Sequence, residues 1–317
     1  MSNSTAVTWD RAGHLVRVIS PAGVEMSGFH TPGGSDAPVL LCLHGLSGHL
    51  DTSFVFEFFK TRSPLSAFHV LSIASSGQGN ISMARQGQLL EYRLGGSAYE
   101  RFEESVGDLA AWVDYAAQCT SGPIILLGHS LGASKVTHYL AQRRDARVKG
   151  LVLASAPDLK GAFIALHGLQ RFEEFMAEAR SKVAQDQGRS LMGEDCVIGL
   201  LRQRVSAQTL LDRFEDTSTA DTFDFFGRES TKAFLALEQV TVPILAVYGQ
   251  HGEIVGESGT ASALALLKKR AVRAPSFDSL ILAGNHWYMG AEAAFANALA
   301  SWATAHCVDA ASAEVRA

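Results

Sequence analysis

The sequence predicts an α/β fold, with a mainly parallel, doubly wound sheet interrupted by one long helical insert. Three observations carry this expectation. Short apolar runs rich in β-branched residues alternate with helical patterns along most of the chain, as in βαβ units. One such run, Ile124 to Leu127, breaks into Gly128-His129-Ser130-Leu131-Gly132 and resumes at once as a helix. The alternation then stops between Leu159 and about Gln239, where no convincing strand pattern is found.

Taken in order, His14–Ile19 and Val24–Phe29 read as two strands, and Ser20-Pro21-Ala22-Gly23 between them is a hairpin signature. Pro38 to Leu43 is a buried-type strand that ends in His44-Gly45-Leu46-Ser47-Gly48, followed by a helical pattern over Asp51–Lys60. Phe68–Ile73 is the next strand and ends in Ser75-Ser76-Gly77-Gln78-Gly79-Asn80. A helix over roughly Ala98–Cys119 leads to the turn signal Gly122-Pro123 and the strand Ile124–Leu127. A helix from about Ala133 to Arg143 and the strand Val148–Ala154 come next, and Ala156-Pro157-Asp158 closes that strand.

The insert reads as helices, including roughly Gly161–Gln187 and Thr219–Leu237, and carries eight phenylalanines: Phe163, Phe172, Phe175, Phe214, Phe223, Phe225, Phe226 and Phe234. Alternation returns with Pro243–Tyr248, Gly256–Arg270, Ser279–Ala283 and Ala291–His306 as strand, helix, strand and helix. The expected organisation is therefore a core of residues 1–158 and 240–317 with a helical cap, 159–239, after the strand that follows the Gly-x-Ser-x-Gly turn. Such a cap would cover the carboxyl edge of the strands, where ligands bind in open α/β sheets. Its phenylalanines either line a pocket or bury the cap's own face, with core packing favoured for any single one. The Ala-rich end, from about Asp309, is expected to fray.

Composition narrows the function classes. Apolar residues make up 47% of the 317 and charged ones 19%, which suits a large buried core. The net charge of −5 and the lack of a basic block argue against nucleic-acid binding. Residues Met1–Asp10 are polar, without the apolar core of a secretory signal, and no run approaches a transmembrane span, so a soluble, cytoplasmic protein is expected. Cys42, Cys119, Cys196 and Cys307 are scattered and read as free thiols, Cys42 as a small core residue. His44, His49, Asp51 and His251 match no zinc spacing, and no dinucleotide fingerprint follows the first parallel strand, so neither metal nor cofactor is expected. Asp108 and Asp114 are read as solvent-facing helix charges.

The chemistry starts at Ser130. A strand, a sharp turn flanked by glycines and a helix are the setting that exposes a nucleophile, the competing reading being a serine that only caps the helix. A serine hydroxyl needs a base. Of the eleven histidines, His286 is best placed, on the loop after the last strand and so at the same sheet edge as Ser130. An oxyanion needs preorganised donors, and the N–H groups of Leu131 and Leu46 are the candidates, with Ser47 close behind.

Together, His44-Gly45 after one strand, Ser76-Gly77-Gln78-Gly79 after the next, Gly128-His129-Ser130-Leu131-Gly132, the helical insert and Asn285-His286 resemble the α/β-hydrolase superfamily from about residue 13 to 306. The resemblance implies a serine hydrolase with a catalytic triad, in the order Ser, acid, His. Many relatives resemble G-x-x-D after the strand Pro243–Tyr248, which would put the acid where Gly252 stands. Glu253 is the nearest carboxylate and the favoured acid, and Asp158, after the preceding strand, is the alternative. The expected activity is cleavage of a small, largely apolar carboxylic ester, thioester or lactone through an acyl-enzyme on Ser130. Carbon–carbon bond hydrolysis, acyl transfer and a weakly active ligand receptor stay open as alternatives. The sequence also leaves a homodimer open.

Overall fold

A computed structural model describes residues 8–52, 54–87 and 91–308. The expectations for the first seven residues and for the chain beyond Val308 lie outside the described residues. The chain begins with β1 (His14–Ile19), β2 (Glu25–Thr31), β3 (Val39–Leu43), the single turn α1 (Val55–Phe58) and β4 (His69–Ile73). A hairpin of β5 (Ser82–Gln86) and β6 (Glu91–Gly95) precedes α2 (Glu104–Cys119), β7 (Ile124–His129), α3 (Leu131–Arg143) and β8 (Val148–Ala154). The insert holds α4 (Leu159–His167), α5 (Leu169–Ala184), the paired fragments β9 (Val197–Ile198) and β10 (Gln203–Arg204), and α6 (Ala207–Phe214). Then come β11 (Ile244–His251), α7 (Gly259–Arg270), β12 (Phe277–Asn285) and α8 (Glu292–Ala303).

Eight strands form the main sheet in the order β1-β2-β4-β3-β7-β8-β11-β12. β2 runs antiparallel to β1 and β4, and every pairing from β4 to β12 is parallel. Because side chains alternate along a strand, each central strand feeds two cores. Leu41, Leu43 and Leu126 face Trp112, Val136 and Tyr139 of α2 and α3. Leu40, Cys42, Ile125 and Leu127 face Phe54, Phe58, Phe295 and Trp302 on the other side. This two-sided burial explains why β3 and β7 are continuous apolar runs. The doubly wound α/β expectation holds.

The insert departs from its expected helices in three places. The long helix over Gly161–Gln187 is two, because Gly168, at φ 81°, ends α4 and starts α5. The stretch Thr219–Leu237 forms no α-helix. Side chains take the backbone N–H groups that a helix would use: Asp158 accepts from Phe225 and Phe226, Asp224 from Arg228 and Ser230, and Ser230 Oγ from Lys232 and Ala233. The fragments β9 and β10 are also unexpected, too short to leave a periodic pattern. The apolar residues of α4–α6 share a core of their own, whereas Phe223, Phe225 and Phe234 join the core beneath the sheet.

Two further corrections fall in the core. Asp108 is not a solvent-facing charge but a buried one, 2% exposed, with Oδ2 accepting from Ser76 N. The pattern over Asp51–Lys60 yields only one turn of helix, since its phenylalanines are fixed by packing: Phe54 stacks on Phe295 at 5.4 Å between centroids, and Phe58 meets the same ring edge-on. No described helix is long and apolar enough to cross a membrane.

Phe295 is fully buried and also lies 4.6 Å from the Tyr288 ring, so it ties α1 and α8 to the loop after β12. Phe295→Ala should lower unfolding free energy by about 3–5 kcal/mol, read as a shifted urea midpoint. A loss under about 1 kcal/mol would mean that the site collapses around the missing ring.

Candidate active site

The carboxyl edge of the sheet brings four loops together. β7 passes into α3 through Ser130, which adopts φ 53°, ψ −125°, a conformation costly for a side-chain-bearing residue. The turn is so tight that a Cβ on Gly128 would lie 2.3 Å from Gly132 O, and one on Gly132 would lie 2.6 Å from His44 O. Only glycine fits either place. Ser130 N donates to Ala154 O of β8 (2.8 Å), which pins the turn from the neighbouring strand. The Ser130 hydroxyl makes no capping hydrogen bond to α3, so the helix-cap reading of this serine is not what the geometry shows.

His286 follows directly on β12. Asn285 shapes its loop, with Oδ1 accepting from Trp287 N (3.0 Å) and Met289 N (3.3 Å). Beneath it, His129 Nε2–H donates to the His286 carbonyl at 2.8 Å. Nδ1 of His286 lies 2.9 Å from Glu253 Oε2. A carboxylate can only accept, so this contact places the proton on Nδ1 and leaves Nε2 as the basic nitrogen. The other oxygen, Oε1, accepts from Gly249 N at 2.6 Å and from Ser155 Oγ at 2.8 Å. Ser155 is itself held 2.8 Å from the Tyr288 hydroxyl. The Glu253 side chain is 2% exposed, and both of its oxygens are engaged.

Glu253 reaches the ring because β11 and β12 fall out of step at their ends. Gly249 pairs with Leu282 but His251 with Asn285, so two residues of β11 span three of β12. Asp158 stands elsewhere. It caps α4 through Gly161 N (2.7 Å), accepts from Phe225 and Phe226 N, and pairs with Arg228 at 2.9 Å. All four partners belong to the insert. Burial raises the Asp158 carboxyl even with Arg228 beside it.

The loop after β3 supplies the last component. Gly45 O accepts from His44 Nδ1 at 2.7 Å and from Gly48 N at 3.0 Å. In a trans peptide the carbonyl and the following N–H point in opposite directions. Fixing Gly45 O therefore fixes the Leu46 N–H. Leu131, the first residue of α3, has no intrahelical acceptor for its own N–H. Ser75 N donates to His44 Nε2 (3.2 Å), which sets the Nδ1–H tautomer.

Ser130, His286, Gly45, Leu46 and Ser47 line one cavity of about 100 Å³. The remaining wall is mostly apolar, with Leu159, Leu200, Leu201, Ile254 and Trp287. None of the insert's phenylalanines lines it. Phe163, Phe172, Phe175 and Phe214 bury one another, and the turn between β9 and β10 presents leucines instead. Sequence reasoning missed Ser155, Tyr288, His129 and this leucine turn. Of these, only His129, inside the Gly-x-Ser-x-Gly pattern, carried a local signal.

The fold and this arrangement define the class. Residues 38–289 match the alpha/beta hydrolase fold family, and the chain belongs to it. Phospholipase YtpA of Bacillus subtilis is 29% identical over 124 residues, a match spanning 38% of this chain and 42% of that protein. Among solved structures, the esterase Pf2001 of Pyrococcus furiosus superposes with a TM-score of 0.56 at 13% identity, covering 94% of each chain. Est1E of Butyrivibrio proteoclasticus, bound to ferulic acid, superposes with a TM-score of 0.58 at 16% identity, covering 91% of this chain and 98% of that one. At such identities the likeness is one of fold.

Burial also sets the charge state of the flanking histidines. It holds His44 down to about 4, aided by the Lys135 charge, and His129 down to about 3, aided by His286. Both values lie below the unfolded 6.5, so their contribution to stability is complete above 6.5 and is lost as pH falls towards the folded values. Between about pH 6.5 and 5 each ring should cost the native state about 1.6 kcal/mol, the slope rising towards 1.36 kcal/mol per pH unit as the unfolded ring protonates. Urea midpoints at the two pH values measure this, and equal midpoints would show that the rings are not held neutral.

Proposed function

We propose that the chain is a serine hydrolase that cleaves a small, largely apolar carboxylic ester, thioester or lactone through an acyl-enzyme on Ser130. The observation that carries this reading is the Glu253 carboxylate on Nδ1 of His286, with His286 and Ser130 facing one cavity. That geometry supports an acyl-transfer reaction. His286 Nε2 takes the proton of Ser130 Oγ as the oxygen attacks the acyl carbon. The carbonyl π electrons move onto oxygen, and the N–H groups of Leu46 and Leu131 receive that charge. Glu253 stabilises the imidazolium without taking its proton. His286 then protonates the departing alkoxide or thiolate. Water, deprotonated by the same nitrogen, releases the acid and returns Ser130.

The substrate class rests on the walls. A cavity of about 100 Å³ edged by leucine, isoleucine and tryptophan favours a short apolar acyl group over a charged one. In this reading residues 159–239 act as the cap. Asp158 is its anchor and not a member of the triad.

Treatment with a fluorophosphonate should add one adduct to the wild type and none to Ser130→Ala, read by intact-protein mass. Ser130→Ala should lower kcat on a short-chain aryl ester by about 10⁴-fold or more. Near-normal turnover by that variant would end the acyl-enzyme reading. The two candidate acids separate in a second pair. Glu253→Gln should lower kcat by about 10³-fold or more. Asp158→Asn should instead lower the melting temperature and leave kcat of the folded protein within about threefold. The opposite pattern would move the acid to Asp158.

A further inference from the structure

Lys, Glu and Arg side chains are almost never fully buried unless paired. Three are buried together behind the loop that carries Leu46. The side chains of Lys135, Glu100 and Arg213 are 1%, 2% and 3% exposed. They come from separate parts of the chain: Lys135 from the second turn of α3, Glu100 from the loop before α2, and Arg213 from the last turn of α6 in the insert. Lys135 Nζ makes a short contact with Glu100 Oε1, and Arg213 Nη2 lies 3.0 Å from Glu100 Oε2 and 2.9 Å from Ser97 O. Burial alone would raise the Glu100 carboxyl, but the two cations outweigh it and hold the group below the usual carboxylate value.

The network continues towards the cavity. Lys135 Nζ donates to Ser75 Oγ at 3.3 Å. Ser75 holds His44 Nε2 through its backbone N–H at 3.2 Å, with its hydroxyl 3.5 Å away. His44 in turn fixes Gly45 O, and with it the direction of the Leu46 N–H. The Ser76-Gly77-Gln78-Gly79 stretch acquires a reason here. A Cβ on Gly77 would lie 2.0 Å from Glu100 Oε1, so only glycine lets the carboxylate sit against this loop.

Stability is a poor explanation for such a network, because well-packed apolar residues of similar volume often serve as well or better. Direction is what charged, hydrogen-bonded groups supply and apolar ones do not. We propose that Lys135, Glu100 and Arg213 are positioning residues that tie helix α6 of the insert, through Ser75 and His44, to the aim of the Leu46 N–H. The consequence for the reaction, though not the tie itself, rests on the serine-hydrolase reading above. Seating of the insert and readiness of the oxyanion donor then become one event.

The test uses the full chain with Arg213→Met, Lys135→Met and the double variant. Each single change leaves Glu100 one cationic partner. Three quantities are measured: kcat and KM on a short-chain aryl ester, the rate constant for fluorophosphonate modification, and the Leu46 amide resonance in leucine-¹⁵N-labelled protein. Losing an oxyanion donor outright costs 10²–10³-fold in rate, so misaiming one should lower kcat and the modification rate by about tenfold. KM should stay within about twofold, since the loss falls on the transition state. The Leu46 resonance should move in both single variants, and the double variant should be no slower than Lys135→Met, as for two links of one chain. A lowered melting temperature with kcat unchanged and the Leu46 resonance unmoved would overturn the proposal and leave the network a structural prop. Should the wild type neither react with fluorophosphonate nor cleave esters, the hydrolase reading fails alone. The tie then stands or falls on whether Arg213→Met moves the Leu46 resonance. If a methionine variant fails to fold, Lys135→Arg and Arg213→Lys keep the charge while changing its reach. The same shift then supports the tie, and an unmoved resonance refutes it.

Discussion

The passage of β7 into α3 constrains everything else at the carboxyl edge. Ser130 can hold φ 53° only if the chain on both sides is locked, because the conformation is unfavourable on its own. The lock is steric and hydrogen-bonded together. Gly128 and Gly132 let the two backbones touch, Ser130 N reaches Ala154 O, and Gly132 lies against His44 O. From Ile125 onward, β3, β7 and β8 keep one register to the ends of the strands. The loop that bears Leu46 is therefore placed by the same contacts that expose Ser130. A bulkier residue at either glycine would disturb the Ser130 turn and the Leu46 loop at once.

The two carboxylates at this edge differ through their donors. Glu253 accepts from one backbone N–H, one hydroxyl and one imidazole. Asp158 accepts from three backbone N–H groups and pairs with a guanidinium. Ser155 and Tyr288 hold Glu253 in a fixed orientation without adding another formal charge, so its negative charge remains for the ring. Asp158 has its charge offset by Arg228, and its geometry is spent on closing α4 and the Phe225–Arg228 turn. An aspartate placed that way is a fastener.

What could be read from the sequence was whatever lies within one segment. Strand, glycine, serine, glycine and helix occur within about twenty consecutive residues, and the buried strands announce themselves by composition. The place of His286 on the loop after the last strand was legible. Which of Glu253 and Asp158 meets its ring was not. It depends on an uneven β11–β12 pairing and on a turn 70 residues from Asp158, neither of which leaves a periodic signal. The same limit applies to the insert. Residues 219–237 have an acceptable helical composition, yet Asp158, Asp224 and Ser230 capture their N–H groups, a tertiary effect that propensity does not register. Asp108 looks like a surface charge on its helix because its buried partner, Ser76 N, lies 32 residues away.

Polar contacts join the insert to the rest of the chain at several points. Asp158 grips the Phe225–Arg228 turn, Arg213 reaches Glu100 and Ser97, Asp212 pairs with Arg101, and Asn80 donates to Arg204 O. Its own core packs α4 to α6 together independently of the sheet. Leu46 from the β3 loop packs against this core, and a Cβ on Gly199 would lie 2.6 Å from its Cδ2. Leu46 therefore packs against the insert and also lines the cavity. A displacement of the β9–β10 turn, which carries Leu200 and Leu201 of the cavity wall, would bear on the Leu46 loop through the same contact.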